Sequence, residues 1–113
     1  MIEIMYHRGY HRITVRGHAG SAEEGKDLVC AAVSALVLTA VANVRRMEDK
    51  GCTYSTVITV DKGDAEIQVN AKAYFRLSIM QILDAICAGF EVLAAKSYRG
   101  FRLATYGKRS YTR

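Results

Sequence analysis

One segment of this 113-residue sequence combines the residue types that thiol chemistry needs. His18 lies between Gly17 and Gly20, and Cys30 follows at the start of the most apolar segment of the chain. A thiol is a useful nucleophile as its thiolate, which a nearby histidine or a helix N-terminus favours. The segment therefore predicts nucleophilic catalysis, with Cys30 attacking a carbonyl carbon and His18 acting as general base.

The residues around Cys30 fit the same interpretation. Asp27, Cys30 and Ser34 have the spacing i, i+3, i+7, which places them on one face of a helix. If Asp27 caps that helix, Cys30 occupies its third position, where free N–H groups favour negative charge and form an oxyanion site. The Ser-Ala-Glu-Glu run at 21–24 also fits a capping box. A helix that started there would place Cys30 two turns in, although Gly25 argues against that start.

Each of these residues also has a structural interpretation. A cysteine in a helix of alanine and valine is usually a small core residue, and a glycine-flanked histidine is usually a turn residue. The two together, with a short loop between them and a polar face on an apolar helix, favour catalysis. Cys52 and Cys87 have no such neighbours, so we expect both of them to be structural.

The elements that position this segment follow from the hydrophobic pattern. Alternating residues predict strands at 2–7, 12–16, 54–60, 65–71 and 101–106, the first four forming two hairpins. Apolar residues three or four apart predict helices over 27 to about 48 and about 74 to 95. The order ββαββαβ predicts an α+β fold, a two-layer domain with a mostly antiparallel sheet and two helices packed on it. Gly89, inside the second helix, predicts a close packing contact.

The first helix is apolar on nearly every side. Its fully apolar part, about 28–44, is interrupted by polar residues and is shorter than the about 20 residues of a bilayer span. We therefore expect a buried helix and no membrane association. Such a helix must be covered on more than one side. The sheet covers one side, and a second helix or a second copy of the chain covers the rest, so we expect a homodimer.

Composition limits the class of protein further. We expect a single domain over residues 1–106 and a basic tail over 107–113. The three cysteines show no CxxC or CxxH spacing, and the N-terminal residues lack a signal-peptide pattern, which together predict reduced thiols in the cytoplasm. His7, His11 and His18 have no obvious fourth ligand nearby, so we expect no metal and no cofactor.

The net charge of +5 is concentrated towards the C-terminus. Residues 96–113 include six basic and no acidic side chains, whereas the rest of the chain has ten basic and eleven acidic ones. Two interpretations of this tail stay open. It is either a solvated segment or a contact for phosphates or an acidic partner.

The segment from Gly17 to Ser34 resembles the signature of the ribosomal-processing cysteine protease Prp family. The resemblance is carried by Gly17-His18-Ala19, the short glycine-containing loop, Asp27-Leu28-Val29-Cys30-Ala31-Ala32, and Ser34. The element order and Gly89-Phe90 extend it over the whole domain. It implies a homodimeric endopeptidase that removes an N-terminal extension from large ribosomal subunit protein twenty-seven, cutting after a phenylalanine.

The resemblance also implies roles for individual residues. His18 would be the general base and Cys30 the nucleophile, while Gly17, Asp27 and Ser34 match further motif positions with supporting or substrate-binding roles. Residues 19–26 would form a mobile loop that makes room for the peptide, and an apolar pocket for phenylalanine should lie near the first helix. The basic end beyond Tyr106 departs from the family pattern and leaves open a contact with ribosomal RNA.

Two other functions stay open on sequence alone. One is a non-catalytic basic α+β module that binds ribosomal RNA or a ribosomal partner through its tail, with Cys30 as a packing residue; added salt would weaken such binding steeply. The other is a thiol hydrolase that acts on a small amide or thioester. The size of the preferred substrate would distinguish the second from an endopeptidase.

Overall fold

The computed structural model describes residues 2–17, 26–61, 63–97 and 101–107. The strands are β1 (Ile2–His7), β2 (Arg12–Arg16), β3 (Thr53–Asp61), β4 (Asp64–Ala71) and β5 (Phe101–Tyr106), and the helices are α1 (Lys26–Asp49) and α2 (Arg76–Ser97). Short 3-10 turns at Arg8–Tyr10 and Ala73–Phe75 precede β2 and α2. The predicted order is confirmed. The second helix differs slightly, because the turn at Ala73–Phe75 precedes its α-helical part.

All five strands form one sheet in the order β3-β4-β2-β1-β5. Both predicted hairpins are present, with Ile4 opposite Val15 and Ile58 opposite Ile67. β2 also pairs with β4 antiparallel, whereas β5 joins β1 in parallel, with Leu103 beside Ile4. Three of the four pairings are antiparallel, which confirms the predicted mostly antiparallel α+β sheet.

Both helices pack on the same face of the sheet, against the alternate residues of its strands that point inward. α1 contacts β3 and β4, whereas α2 contacts mainly β5 and also β4. The buried residues of the helices are Val33, Val37, Ala40 and Val44 in α1 and Ile79, Leu83, Ile86, Cys87 and Phe90 in α2. The predicted valine stripe of α1 is therefore confirmed in part, because Val29 and Val41 are only half-buried. In α2, Leu83 rather than its neighbour Ile82 occupies the buried position.

The two helices touch where α2 has a glycine. A Cβ atom at Gly89 would lie 2.9 Å from Leu36 Cδ2 and 3.0 Å from Leu36 Cδ1. The predicted close contact at Gly89 is thus confirmed, and its partner is a leucine of α1. α1 connects β2 to β3 and α2 connects β4 to β5, and because β2 and β3 run opposite to β4 and β5, the helices run antiparallel, with the start of α1 beside the end of α2.

The side of each helix that faces away from the sheet is apolar and exposed. On α1 it presents Leu28 (78% exposed) and Leu38 (57%), and on α2 it presents Leu77 (64%) and Val92 (54%). Exposed alanines lie between these residues, at positions 31, 35, 42, 85 and 88. We call this set the outer helix surface. Both helices are long and apolar enough to cross a membrane by length and composition alone, a test that core helices of soluble proteins also meet.

Candidate active site

Cys30 is a free thiol near the start of α1, half-buried at the margin of the core. Leu36, which contacts α2, lies about 120° around the helix from it, on the other flank of the buried valine stripe. Cys30 therefore lies on the flank of α1 that is turned towards the edge strand β3. Ser34 lies one turn later on the same face and is also half-buried, so the helix brings these two predicted site residues together.

The start of α1 differs from the prediction in one respect. Lys26 is already helical, so Asp27 is the second described residue of the helix and not its cap. Lysine is a good helix former, and nothing in its chemistry stops the helix at Asp27. Cys30 is thus the fifth described residue of α1. The residues before Lys26 lie outside the described residues, so an oxyanion site formed by the N–H groups around Cys30 stays a prediction.

Gly17 fixes the point at which the chain leaves β2. Its φ of +76° is a left-handed conformation that glycine adopts without strain. Its N–H donates to the carbonyl oxygen of Gly63 and, at 3.4 Å, to Oδ1 of Asp64. These bonds attach the end of β2 to the turn between β3 and β4, immediately before His18.

The topology places Gly17 and Cys30 at the same end of the domain. α1 ends beside the start of β3, where the N–H of Cys52 donates to the carbonyl of Met47 at 3.0 Å. The start of α1 therefore lies at the opposite end of the sheet, next to the turn that holds Gly17. His18, the alternative helix start at 21–24 and the predicted loop up to Gly25 lie outside the described residues, and the geometry of a Cys–His dyad stays a prediction.

Neither the cavities nor the possible metal ligands among the described residues add a residue to the site around Cys30. One cavity of about 410 Å³ lies between α2 and β5, lined by Glu91, Ala94, Leu103 and Thr105. A second cavity lies at the other end of the sheet. Cys30 lines neither of them, so the predicted phenylalanine pocket stays a prediction. Within the described ranges, no group of three or more His, Cys, Asp and Glu side chains could hold a metal ion.

Sequence reasoning missed a polar cluster far from Cys30 in the sequence and in the fold. The hydroxyl of Tyr6 donates a hydrogen bond to Oδ1 of Asp84 at 2.6 Å. The Arg8 guanidinium donates two further hydrogen bonds to the same carboxylate, at 2.9 and 3.0 Å, in a bidentate arrangement. Burial and the hydrogen bond to Asp84 raise the pKa of Tyr6 above its ordinary value, so Tyr6 stays neutral. The alternation of β1 identifies Tyr6 as buried, but nothing in the sequence pairs it with residue 84.

Comparison with known proteins adds an independent finding. The family model for cysteine protease Prp matches residues 1–96. Among solved structures, SMU.848 from Streptococcus mutans is 27% identical, with a TM-score of 0.69, over 93% of this chain and 91% of that one. Two structures of the essential ribosomal processing protease Prp from S. aureus have TM-scores of 0.71 and 0.69 at 20% and 22% identity, over 93% of this chain and 99% of theirs. One contains a substrate peptide and the other a covalently linked product peptide. No curated protein matches.

Proposed function

Because the chain belongs to the cysteine protease Prp family, we propose that it is a ribosomal-processing endopeptidase whose nucleophile is Cys30. The chain is a cysteine protease, so one of its three thiols must reach a peptide. Cys52 and Cys87 are 3% and 4% exposed and belong to the interior, whereas Cys30 is partly accessible. This difference in exposure is the observation that carries the assignment. The non-catalytic alternative is set aside, because it does not fit membership of a protease family.

The proposed reaction uses His18 as general base. The imidazole takes the proton of the Cys30 thiol, and the sulfur attacks the scissile carbonyl carbon to give a tetrahedral intermediate. The C–N bond then breaks, the leaving amine takes the proton from His18, and water hydrolyses the remaining thioester. Gly17 supports this step because its two hydrogen bonds fix the backbone next to His18. Asp27 would orient the imidazole, and Ser34 would contribute a hydroxyl on the Cys30 face.

The proposed substrate is the N-terminal extension of large ribosomal subunit protein twenty-seven, cleaved after phenylalanine. The S. aureus Prp structures support a peptide substrate of a ribosomal processing enzyme with the same fold. We propose that the pocket for the phenylalanine ring lies on the Cys30 face of α1, towards β3, and that the enzyme acts in the cytoplasm.

Alkylation of the three cysteines tests the nucleophile first. The rate of iodoacetamide labelling is measured against pH for each cysteine by mass spectrometry, in the wild type and in His18→Ala. We expect Cys30 to label with a midpoint well below the free-thiol value of about 8.5 and His18→Ala to move that midpoint upward. The buried Cys52 and Cys87 are internal controls that should label slowly in both proteins.

Cleavage of a peptide that spans the extension tests the reaction itself. Cys30→Ala should abolish cleavage and His18→Ala should reduce it by orders of magnitude, whereas Cys52→Ala should retain activity. Full cleavage by Cys30→Ala would overturn the proposal. A truncated substrate with a single residue before the scissile bond should be cut slowly, and equal turnover of this short amide would favour the small-molecule thiol hydrolase instead.

We also propose a homodimer formed through the outer helix surface. Its leucines and valine are more than half exposed and alternate with alanines, a composition that lets helices approach closely across an interface. The basic residues 107–113, beyond the catalytic domain of residues 1–106, are proposed to contact ribosomal RNA. Binding of RNA through this tail should weaken steeply with salt and be lost on its deletion, whereas peptide cleavage should persist.

A further inference from the structure

A cavity at the end of the sheet remote from Cys30 contains polar groups that the protease function does not use. It has a volume of about 430 Å³ and is lined by side chains that include His11, Ser55, Gln68, Asn70 and Arg76. Thr56 also lines it and donates a hydrogen bond to Glu48 near the end of α1. At 1.5 Å per residue, Cys30 lies about 27 Å along the helix axis from Glu48.

His11 is the unusual residue of this cavity. Its side chain is 4% exposed, and its Nε2 atom has no hydrogen-bond partner among the described residues. Its φ of +53° is a left-handed conformation that residues with a side chain rarely adopt. The carbonyl of His11 accepts a hydrogen bond from the N–H of Val69 at 3.0 Å, which holds this backbone against β4. A buried imidazole nitrogen without a partner is costly and indicates a missing partner.

The charges around the cavity are those of an anion site. No acidic side chain lines it. Arg76, at the start of α2, lines it and has no carboxylate within salt-bridge distance among the residues that the structure describes. The other charged groups near His11 are Arg8 and Asp84, which pair with each other at 2.9 Å. Ser55, Gln68 and Asn70 add neutral hydrogen-bond donors.

We propose that this cavity is a phosphate-binding site, in which Arg76 binds the anionic oxygens and Nε2 of His11 shares a proton with a further oxygen. A guanidinium matches the geometry of phosphate oxygens better than an ammonium does. The volume and the several donors favour phosphate over a small carboxylate. The phosphate group is either a free phosphate or part of an RNA backbone, because the chain leaves β5 at Gly107, beside the cavity residue Gly9, and three basic residues follow in sequence.

The proton on His11 couples binding to pH. In the free protein, burial and the charge of Arg76 hold the pKa of His11 below its ordinary value, so the ring is neutral. A bound phosphate adds negative charge beside the ring and raises that pKa. The complex takes up one proton: either the ring is protonated and Nε2–H donates a hydrogen bond to a phosphate oxygen, or the ring stays neutral and a protonated phosphate oxygen donates a hydrogen bond to Nε2.

Nuclear magnetic resonance of the full chain tests the site with inorganic phosphate as the probe. We expect saturable shifts of the His11 ring resonances at constant ionic strength, and a higher His11 pKa in the presence of phosphate. Arg76→Gln should weaken binding about tenfold to a hundredfold, the effect of losing a charged hydrogen bond. The matched control is Lys72→Gln, which removes a cation at the same end of the sheet; its Nζ lies 5.7 Å from the ring centre of Tyr54.

The variants and the competing ligands decide the proposal. Loss of phosphate binding in Arg76→Gln but not in Lys72→Gln supports it, whereas equal loss in both variants, or no shift at His11, overturns it. Acetate that binds as tightly as phosphate also overturns it. An oligoribonucleotide that displaces phosphate and shifts His11 identifies RNA as the source, and displacement by a mononucleotide alone identifies a free ligand. Because His11 and Arg76 lie remote from Cys30, failure here leaves the protease proposal untouched.

Discussion

Asp84→Asn removes the carboxylate that connects β1, the turn after it and α2. In the wild type, Asp84 accepts hydrogen bonds from Tyr6 at 2.6 Å and from Arg8 at 2.9 and 3.0 Å. The asparagine keeps one oxygen for Tyr6 but turns an amide group towards the guanidinium. Arg8, with 10% of its side chain exposed, would then lose its ion pair with Asp84.

The magnitude follows from burial. Breaking a fully buried ion pair from one side costs about 3–5 kcal/mol, because the remaining charge has lost its partner. The Asp84 side chain is 37% exposed, and solvent therefore compensates part of the loss. We expect Asp84→Asn to lower the free energy of unfolding by about 2–3 kcal/mol, which lowers the melting temperature by about 10 °C in a domain of this size.

Urea unfolding followed by circular dichroism measures this effect. The matched control is Arg102→Gln, which breaks an ion pair with Glu3 at 3.6 Å whose side chains are 66% and 45% exposed. Exposed pairs of this kind contribute at most about 1 kcal/mol, so this variant should unfold nearly as the wild type does. Tyr6→Phe should cost about 1 kcal/mol, the contribution of a single hydrogen bond. If Asp84→Asn is no more destabilising than Arg102→Gln, the reasoning from burial is refuted.

Three further predictions address the dimer, the histidine and the helix contact. Leu38→Lys removes about 1–2 kcal/mol of apolar burial per copy and should weaken the dimer at least about tenfold in sedimentation equilibrium, whereas Val60→Lys on β3 should not; equal effects would place the interface elsewhere. Because the pKa of His11 is lowered in the folded state, the unfolded chain binds the extra proton, so stability should fall as the pH falls through about 6.5 and level off below the folded-state pKa. His11→Asn should lose that component, and an unchanged pH slope would contradict the assignment. Gly89→Ala requires the end of the Leu36 side chain to move away from the new Cβ, a cost that the about 1 kcal/mol gained in helix propensity offsets, so the free energy of unfolding should stay within about 1 kcal/mol of the wild type; a larger loss that Leu36→Ala relieves would contradict this.

The parts of the fold that follow local patterns could be predicted. The alternation in both hairpins and at 101–106, together with the spacing of apolar residues in the two helices, identified each strand and helix that the structure describes. Gly89 identified a close packing contact. The predicted cap of α1 differs, because Lys26 is already helical, one residue before Asp27. Cap preferences are small free energies. They decide where a helix starts only if the neighbouring residues have no strong helix propensity of their own.

The polar contacts between distant residues could not be predicted. Tyr6 and Asp84 are 78 residues apart in the sequence, and neither one indicates the other. His11 carries no sequence signal either, because its left-handed backbone and buried Nε2 depend on β4 and α2 packing around the first turn. The pairing of His18 with Cys30 stays a prediction from their spacing and from the family.

The parallel pairing of β1 with β5 has a consequence for how the enzyme matures. β1 is made first and β5 last, so Leu103 cannot reach Ile4 until the intervening hairpins and helices have been synthesised. Contacts between the two ends of a sequence close large loops and are slow to form. Until they form, one edge of β1 is unpaired, and α2 lacks the strand β5 on which it packs. The part of the sheet beneath α2 is therefore completed last, whereas β3 and β4, on which α1 and Cys30 rest, are synthesised before β5.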